Sequence, residues 1–137
     1  VALASQWLSA LGKRDVQALS RLTRFPFKMH DTSATGDCEN RSAGAPAALG
    51  GAVSCLLEND LLLNDLREDS AGRKLFVRAI ARGNLPSWAR RWRSDLPADL
   101  QSIWATVVAD GVTWDLLLLV GKQGVAGLWK AGWFDPN

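Results

Sequence analysis

The last third of the chain constrains the fold most, because Ser102 to Phe134 alternates runs of strand-forming residues with two turn signals. Ile103-Trp104-Ala105-Thr106-Val107-Val108 is β-branched and aromatic, and Asp110-Gly111 after it is a hairpin dipeptide. Val112 to Val120 is a second such run, and Lys122-Gln123-Gly124 turns the chain again. An antiparallel meander of three strands follows. Period-two alternation puts Val125, Gly127, Trp129, Ala131 and Trp133 on one face of the third strand, with Ala126, Leu128, Lys130, Gly132 and Phe134 on the other.

Upstream, helical spacing comes first. Leu3, Trp7, Leu8 and Leu11 recur on one helix face, Gly12 ends that helix, and Asp15 is placed to cap a second one over Val16–Thr23. Phe25-Pro26-Phe27 comes next. Proline has no ladder donor, so Pro26 is expected at a strand start or edge, with the strand itself over Phe27–Asp31. Residues 32–45 read as a loop by composition. Pro46 opens another helix, whose apolar positions include Leu49, Val53 and Leu56, and a further helical segment carries Leu61, Leu62, Leu63 and Leu66 up to the turn-like Asp69-Ser70-Ala71-Gly72. Lys74–Ala81 has apolar members on both strand faces and is assigned as a strand. Leu85, Trp88 and Trp92 then share one face of a short amphipathic helix, leaving Arg90, Arg91 and Arg93 on others, before Leu96-Pro97 ends it.

Neither an internal repeat nor a linker divides the 137 residues, so a single domain over 1–137 is expected. The longest apolar run, Leu116–Val120, is far below the roughly 20 residues of a membrane helix. No signal-peptide pattern is visible, and a chain that opens at Val1 rather than Met carries no information on whether a leader was removed. The net charge of +2 conceals a strong asymmetry: residues 67–93 hold eight Lys/Arg against two Asp/Glu, whereas 1–66 hold six against seven and 94–137 two against five. Such a basic centre is most simply the solvated side of an amphipathic element. The alternative is that it meets nucleic acid or an anionic partner, and stacking of tryptophans on single-stranded nucleic acid among the arginines is disfavoured because the helix spacing turns Trp88 and Trp92 away from them.

Cys38 and Cys55 are the only cysteines, too far apart for a CxxC pattern. Either they form one disulfide, which places the protein in an oxidising compartment, periplasmic or extracellular, or they are buried thiols in the cytosol. The polar, glycine-rich surroundings of Cys38 favour the disulfide.

The positions Trp7, Leu11-Gly12, Asp15, Leu19, Leu22-Thr23 and Phe25-Pro26-Phe27, together with Gly124-Val125-Ala126-Gly127-Leu128-Trp129-Lys130, carry a likeness to a known family. The chain resembles the nuclear-transport-factor-2-like superfamily, the α+β cone shared with ketosteroid isomerases and polyketide cyclases. That resemblance implies N-terminal helices packed in the concave face of a curved, mostly antiparallel sheet ending in a three-stranded meander, a pocket at the open end of the cone, and pairing of two copies through the open sheet. The pocket of such a fold hosts either catalysis or simple binding.

For chemistry, the chain offers little that the family uses. Ketosteroid isomerases combine a carboxylate base with a tyrosine-containing oxyanion hole, and this chain has no tyrosine. Ser20, Thr23, Thr106 or Trp114 would have to donate instead, and no family catalytic residue is carried over. His30, the only histidine, faces away from its neighbour Asp31 on a strand, so a base there needs a carboxylate from elsewhere, with Asp37 or Asp115 as candidates; otherwise it is a surface or loop-edge histidine. As isolated acids, Asp31, Asp37 and Asp115 are the three to consider, and alternation points Asp115 to solvent. One histidine and two separated cysteines give no zinc site, and there is no phosphate loop or dinucleotide fingerprint, so neither metal nor cofactor is expected. Seven tryptophans remain, which either fill the core or line a pocket for a flat apolar ligand.

The expectation is thus a non-catalytic protein, its pocket drawn from Trp7, His30, Trp88, Trp92, Trp104, Trp114 and Asp115. Its candidate partners are a small apolar molecule and a second copy of the chain, with no nucleic acid and no membrane span. A lyase or isomerase using an acid–base residue in the cone is the alternative.

Overall fold

Helix formation begins where the apolar stripe predicts it. In the computed structural model, which describes residues 1–32, 36–67, 72–109 and 111–132, α1 runs over Ala2–Gly12 and buries Trp7, Leu8 and Leu11. Gly12 allows a close helix crossing: a Cβ there would lie 3.1 Å from the Leu66 Cβ and 3.2 Å from the Leu63 carbonyl oxygen. Asp15 caps α2 (Val16–Arg21), its carboxylate accepting from the Ala18 amide at 3.0 Å. The Trp7 indole donates to Thr23 Oγ1 at 2.9 Å and that hydroxyl donates to the Leu19 carbonyl at 2.6 Å, which fixes α1, α2 and the first strand together. Further helices are α3 (Pro46–Ala52), α4 (Ser54–Leu57) and α5 (Asp60–Leu66); Asn59 caps α5 by accepting from the Leu62 amide.

Among the described residues six strands form one open sheet in the order β2-β1-β6-β5-β4-β3, with β1 Thr23–Asp31, β2 Asn40–Ala43, β3 Lys74–Ile80, β4 Gln101–Ala109, β5 Val112–Gly121 and β6 Gly124–Lys130. Among the described residues only the β1–β6 pairing is parallel. Helices first, then a curved, unclosed and mostly antiparallel sheet ending in the β4–β5–β6 meander: this is the α+β class the resemblance implies. Val125 donates its amide to the Leu22 carbonyl at 2.8 Å, and the β6 backbone comes so near β1 that a Cβ on Gly124, at φ 139°, would sit 2.6 Å from that same oxygen. Only glycine fits there.

Each face of the sheet carries its own apolar core. On the helix side Trp7, Phe27, Met29, Leu63, Ile103, Trp114, Leu116, Leu118 and Leu128 are buried together. Against the other face lies the segment 81–100, two 3₁₀ turns (Arg82–Asn84 and Ser87–Asp95) that press Leu85, Trp88, Trp92 and Leu96 onto Leu117, Leu119 and Trp129. We call this segment the strap.

Several expectations need correction. Pro26 lies inside β1 rather than at its start; it is tolerated because the β2 ladder begins only at Phe27 and the β6 ladder shifts register between Thr23 and Lys28. The supposed loop 32–45 contains β2, a short edge strand whose polar residues gave no apolar alternation to read. Val125 and Trp129 are on opposite faces, not one. A register shift between Leu119 and Val120, opposite Ala126, inserts one extra residue into β6, so Val125 joins the helix-side core and Trp129 the strap-side core. The helix over residues 87–95 is 3₁₀ rather than α, although the expected residues are buried. Expectations for Asp69 to Ala71, Asp110, Trp133 and Phe134 fall outside the described residues.

Candidate functional site

The cone interior is occupied by side chains that satisfy one another. Trp7 is wholly buried. Trp114 donates from Nε1 to Asp65 Oδ2 on α5 at 2.7 Å, and the Lys130 ammonium lies 3.4 Å from Asp31 Oδ1 and 5.6 Å from the Trp114 ring centre. Asp31 and Lys130 point inward because each is the odd neighbour of an outward residue, His30 and Trp129 respectively. Asp31 is therefore a buried acid, paired with a cation. Asp37 instead stands exposed on a 3₁₀ turn, where it lines a wide, open hollow of about 400 Å³ with Asn40, Arg41 and Ala48.

On the strap side two of the sequence-named residues, His30 and Trp92, come together. His30 is not a surface residue: it is 7% exposed, its ring stacked on Trp92 with centres 4.7 Å apart and planes at 9°, and 6.1 Å from the Trp129 ring. Its Nε2 meets Asp95 Oδ2 at 2.7 Å and its Nδ1 meets Asn40 Oδ1. The carboxylate partner is thus Asp95, neither Asp37 nor Asp115. Lys28, one step along the same face, reaches the other Asp95 oxygen at 3.5 Å. Asp95 ends the strap's second 3₁₀ turn, so this network fastens the strap to β1.

Beside it opens a cleft of about 230 Å³, walled by Pro26, Pro97, Leu100, Leu119, Ala126 and Trp129 and rimmed by Arg24, Lys28 and Asp95. Arg24 is itself paired with Asp99 at 2.6 Å; hydrogen bonding to that guanidinium holds the Asp99 carboxyl below the ordinary carboxylate range. Asp99 is largely exposed, so solvent screens the pair and its effect on stability is small.

The other named residues are distributed as follows. Trp88 and Trp92 belong to the strap-side core with Trp129. Trp104 and Asp115 are cross-sheet partners on the same face but nearer the β3 edge: Asp115 Oδ1 accepts from Trp104 Nε1 and from Thr106 Oγ1, both at 2.9 Å, while Arg78 lies over the Trp104 ring at 4.4 Å. Asp115 is half-buried and acts as an acceptor. Asp115→Asn, which keeps an oxygen there, is expected to change stability by less than about 0.5 kcal/mol, and Asp115→Ala to lower it by about 1–2 kcal/mol, read by urea titration. Cys38 and Cys55 form the expected disulfide. Among the described residues no group of His, Cys, Asp and Glu is arranged to hold a metal ion, and no helix is long and apolar enough to cross a membrane.

Asp95, Asn40, Arg24 and Trp129 were not named for the site by sequence reasoning. Asp95 had one available signal: it is the first acid after the acid-free stretch 70–94, placed where the amphipathic segment ends. Asn40 had none.

No family profile matches the chain, and no curated protein does. Solved structures similar to it include an NTF2-like protein of unknown function from Cytophaga hutchinsonii (11% identity, 93% of this chain and 84% of that one, TM-score 0.41). Others are an NTF2-like protein from Burkholderia xenovorans (13%, 94% and 85%, 0.42) and AclR from Streptomyces galilaeus, proposed to be a hydroxylase (14%, 94% and 84%, 0.43). At such scores no residue role passes from them to this chain.

Proposed function

We propose that this is a single-domain, non-catalytic protein that binds a small, largely apolar molecule in the cleft between the strap and β1, β5 and β6, rather than inside the cone. The observation that carries this reading is the cleft's make-up: an apolar wall of Leu100, Leu119 and Ala126, backed by the buried Trp129, under a rim of three charged side chains. Apolar walls with a few placed polar groups are the usual composition of ligand sites. Its volume, about 230 Å³, falls between the roughly 150 Å³ that encloses benzene and the roughly 300 Å³ at which drug-sized pockets begin. A single ring or a short branched chain is the fitting size.

Two considerations weigh against the alternatives. An acid–base lyase or isomerase needs a proton-transfer group with a free atom facing substrate, yet both nitrogens of the only histidine are engaged, by Asp95 and Asn40. Pairing of two copies across the whole open sheet would require the strap to leave, since it already covers Leu117, Leu119 and Trp129. On β3, Phe76 is 53% exposed.

Tryptophan fluorescence tests the proposal, because Trp129 lies directly behind the cleft wall. Titration with benzyl alcohol and with phenylacetate is expected to give a saturable change for at least the neutral probe. Ala126→Leu, which extends a side chain into the cleft, is expected to remove that change while the folded-state circular dichroism is preserved. An equal response in Ala126→Leu, or no saturation in the native protein, would overturn the cleft as the site.

A further inference from the structure

The basic centre of the sequence is not absorbed by the cleft. From Ser70 to Ser94 there is no acidic residue, and three of its arginines, Arg82, Arg90 and Arg93, line one pocket of about 220 Å³ with Gly83 and Leu85. No carboxylate of the described residues lines it. The two acids that follow, Asp95 and Asp99, are committed elsewhere, to His30 with Lys28 and to Arg24.

We propose that this pocket is a site for a small multivalent oxyanion of the phosphate class. Two of the guanidiniums are held in place by backbone carbonyls. Arg82 donates from Nη1 to the Pro97 oxygen at 2.8 Å and from Nη2 to the Leu96 oxygen at 2.7 Å, and Arg90 donates from Nε to the Leu85 oxygen at 3.2 Å. Each guanidinium has five donors, so most remain for a ligand, and Arg93 makes no hydrogen bond or ion pair to a described residue. Three cations around one hollow repel one another; an oxyanion removes that repulsion and accepts charge-assisted hydrogen bonds from all three. At Gly83 the pocket's edge is uncrowded, since a Cβ placed there would meet nothing within 4 Å. Free phosphate and the phosphoryl group of a small metabolite present the same chemistry. A polyanionic strand or a lipid surface would need a wider basic face, and next to this pocket Arg91 is already paired with Glu39 at 2.6 Å.

Calorimetric titration of the intact protein with inorganic pyrophosphate and, separately, inorganic phosphate, at ionic strength fixed with sodium chloride, tests this directly. Saturable one-to-one binding is expected, tighter for pyrophosphate. Arg93→Gln and Arg90→Gln should each weaken it about tenfold, the scale of one lost charge-assisted hydrogen bond. Arg21→Gln, an exposed arginine on α2, and Ala126→Leu in the apolar cleft should leave it unchanged, so this site and the cleft stand or fall separately. Absence of saturable heat would overturn the proposal, as would equal weakening by Arg21→Gln. Binding of anionic vesicles or of a single-stranded oligonucleotide that pyrophosphate fails to displace would also overturn it, in favour of a macromolecular partner.

Discussion

Trp129→Ala is expected to lower the unfolding free energy by about 3–5 kcal/mol, the usual loss when a buried Trp is truncated. Trp129 is 0% exposed and lies between two layers: the β5–β6 sheet beneath it and the strap above, with the Trp92 ring centre 5.8 Å away and the His30 ring 6.1 Å away. Removing the indole leaves a cavity that the sheet backbone cannot collapse to fill, because Leu117 and Trp129 are locked in register across β5 and β6. It also takes away the floor on which the strap rests, so Trp88 and Trp92 should become more solvent-exposed and their emission should shift to the red. Trp129→Phe is expected to cost less than half as much. The indole Nε1 is buried with no hydrogen-bond partner among the described residues, so phenylalanine deletes no bond and relieves an unmet donor. Denaturant titration of both variants measures the difference. A loss under about 1 kcal/mol for Trp129→Ala would mean the strap is not packed on the sheet as described.

How much of this was legible beforehand depends on the range of the forces involved. The meander was, because cross-strand pairing between neighbours in sequence needs only alternation and a glycine at each turn. So was the face of His30, which follows from one residue of offset relative to Phe27 and Met29. What escaped was everything decided by contact between distant segments. The residue opposite His30 is Asp95, 65 positions away, and no local pattern selects it over Asp37 or Asp115. Val125 and Trp129 were put on the same face because period two is a rule of regular strands; a single extra residue at Ala126 breaks it, and the bulge has no apolar signature of its own. The seven tryptophans illustrate the same limit. Sequence marks them as large apolar bodies with one donor each, yet Trp7 and Trp114 went to the helix-side core with donors met by Thr23 and Asp65, while Trp92 and Trp129 built a second core on the other face. The strap explains the basic run as well: a 3₁₀ segment with its tryptophans pressed inward must turn Arg90, Arg91 and Arg93 outward.

Breaking the Cys38–Cys55 bond is the second large effect expected, about 3 kcal/mol of lost stability. Cys38 closes a 3₁₀ turn before β2 and Cys55 lies on α4, so the bond encloses β2 and α3 in a loop of sequence separation 17. The Cα atoms stand 6.0 Å apart, inside the range that a disulfide spans without backbone movement. Inside the loop the folded state has other ties: Arg41 donates to the Asp37 carbonyl at 3.1 Å, to the Gly51 carbonyl at 2.9 Å and to Ser54 Oγ at 3.2 Å. Those bonds survive reduction, so the native geometry should persist and the loss should come mainly from the freed unfolded chain. That origin has its own signature. The unfolded state without the crosslink exposes more surface, so the denaturant m-value should rise as the midpoint falls, whereas a cavity mutant such as Trp129→Ala should move the midpoint alone. Against a total stability of about 5–15 kcal/mol typical of a folded domain, a loss of about 3 kcal/mol leaves the protein mostly folded but raises its unfolded population by roughly 150-fold. Intact-mass measurement with and without reductant gives the state of the bond, and Cys38→Ser paired with Cys55→Ser gives its energy. Two thiols that alkylate in the native, unreduced protein, or an unchanged m-value with a loss under about 1 kcal/mol, would remove the crosslink from any account of this protein's stability.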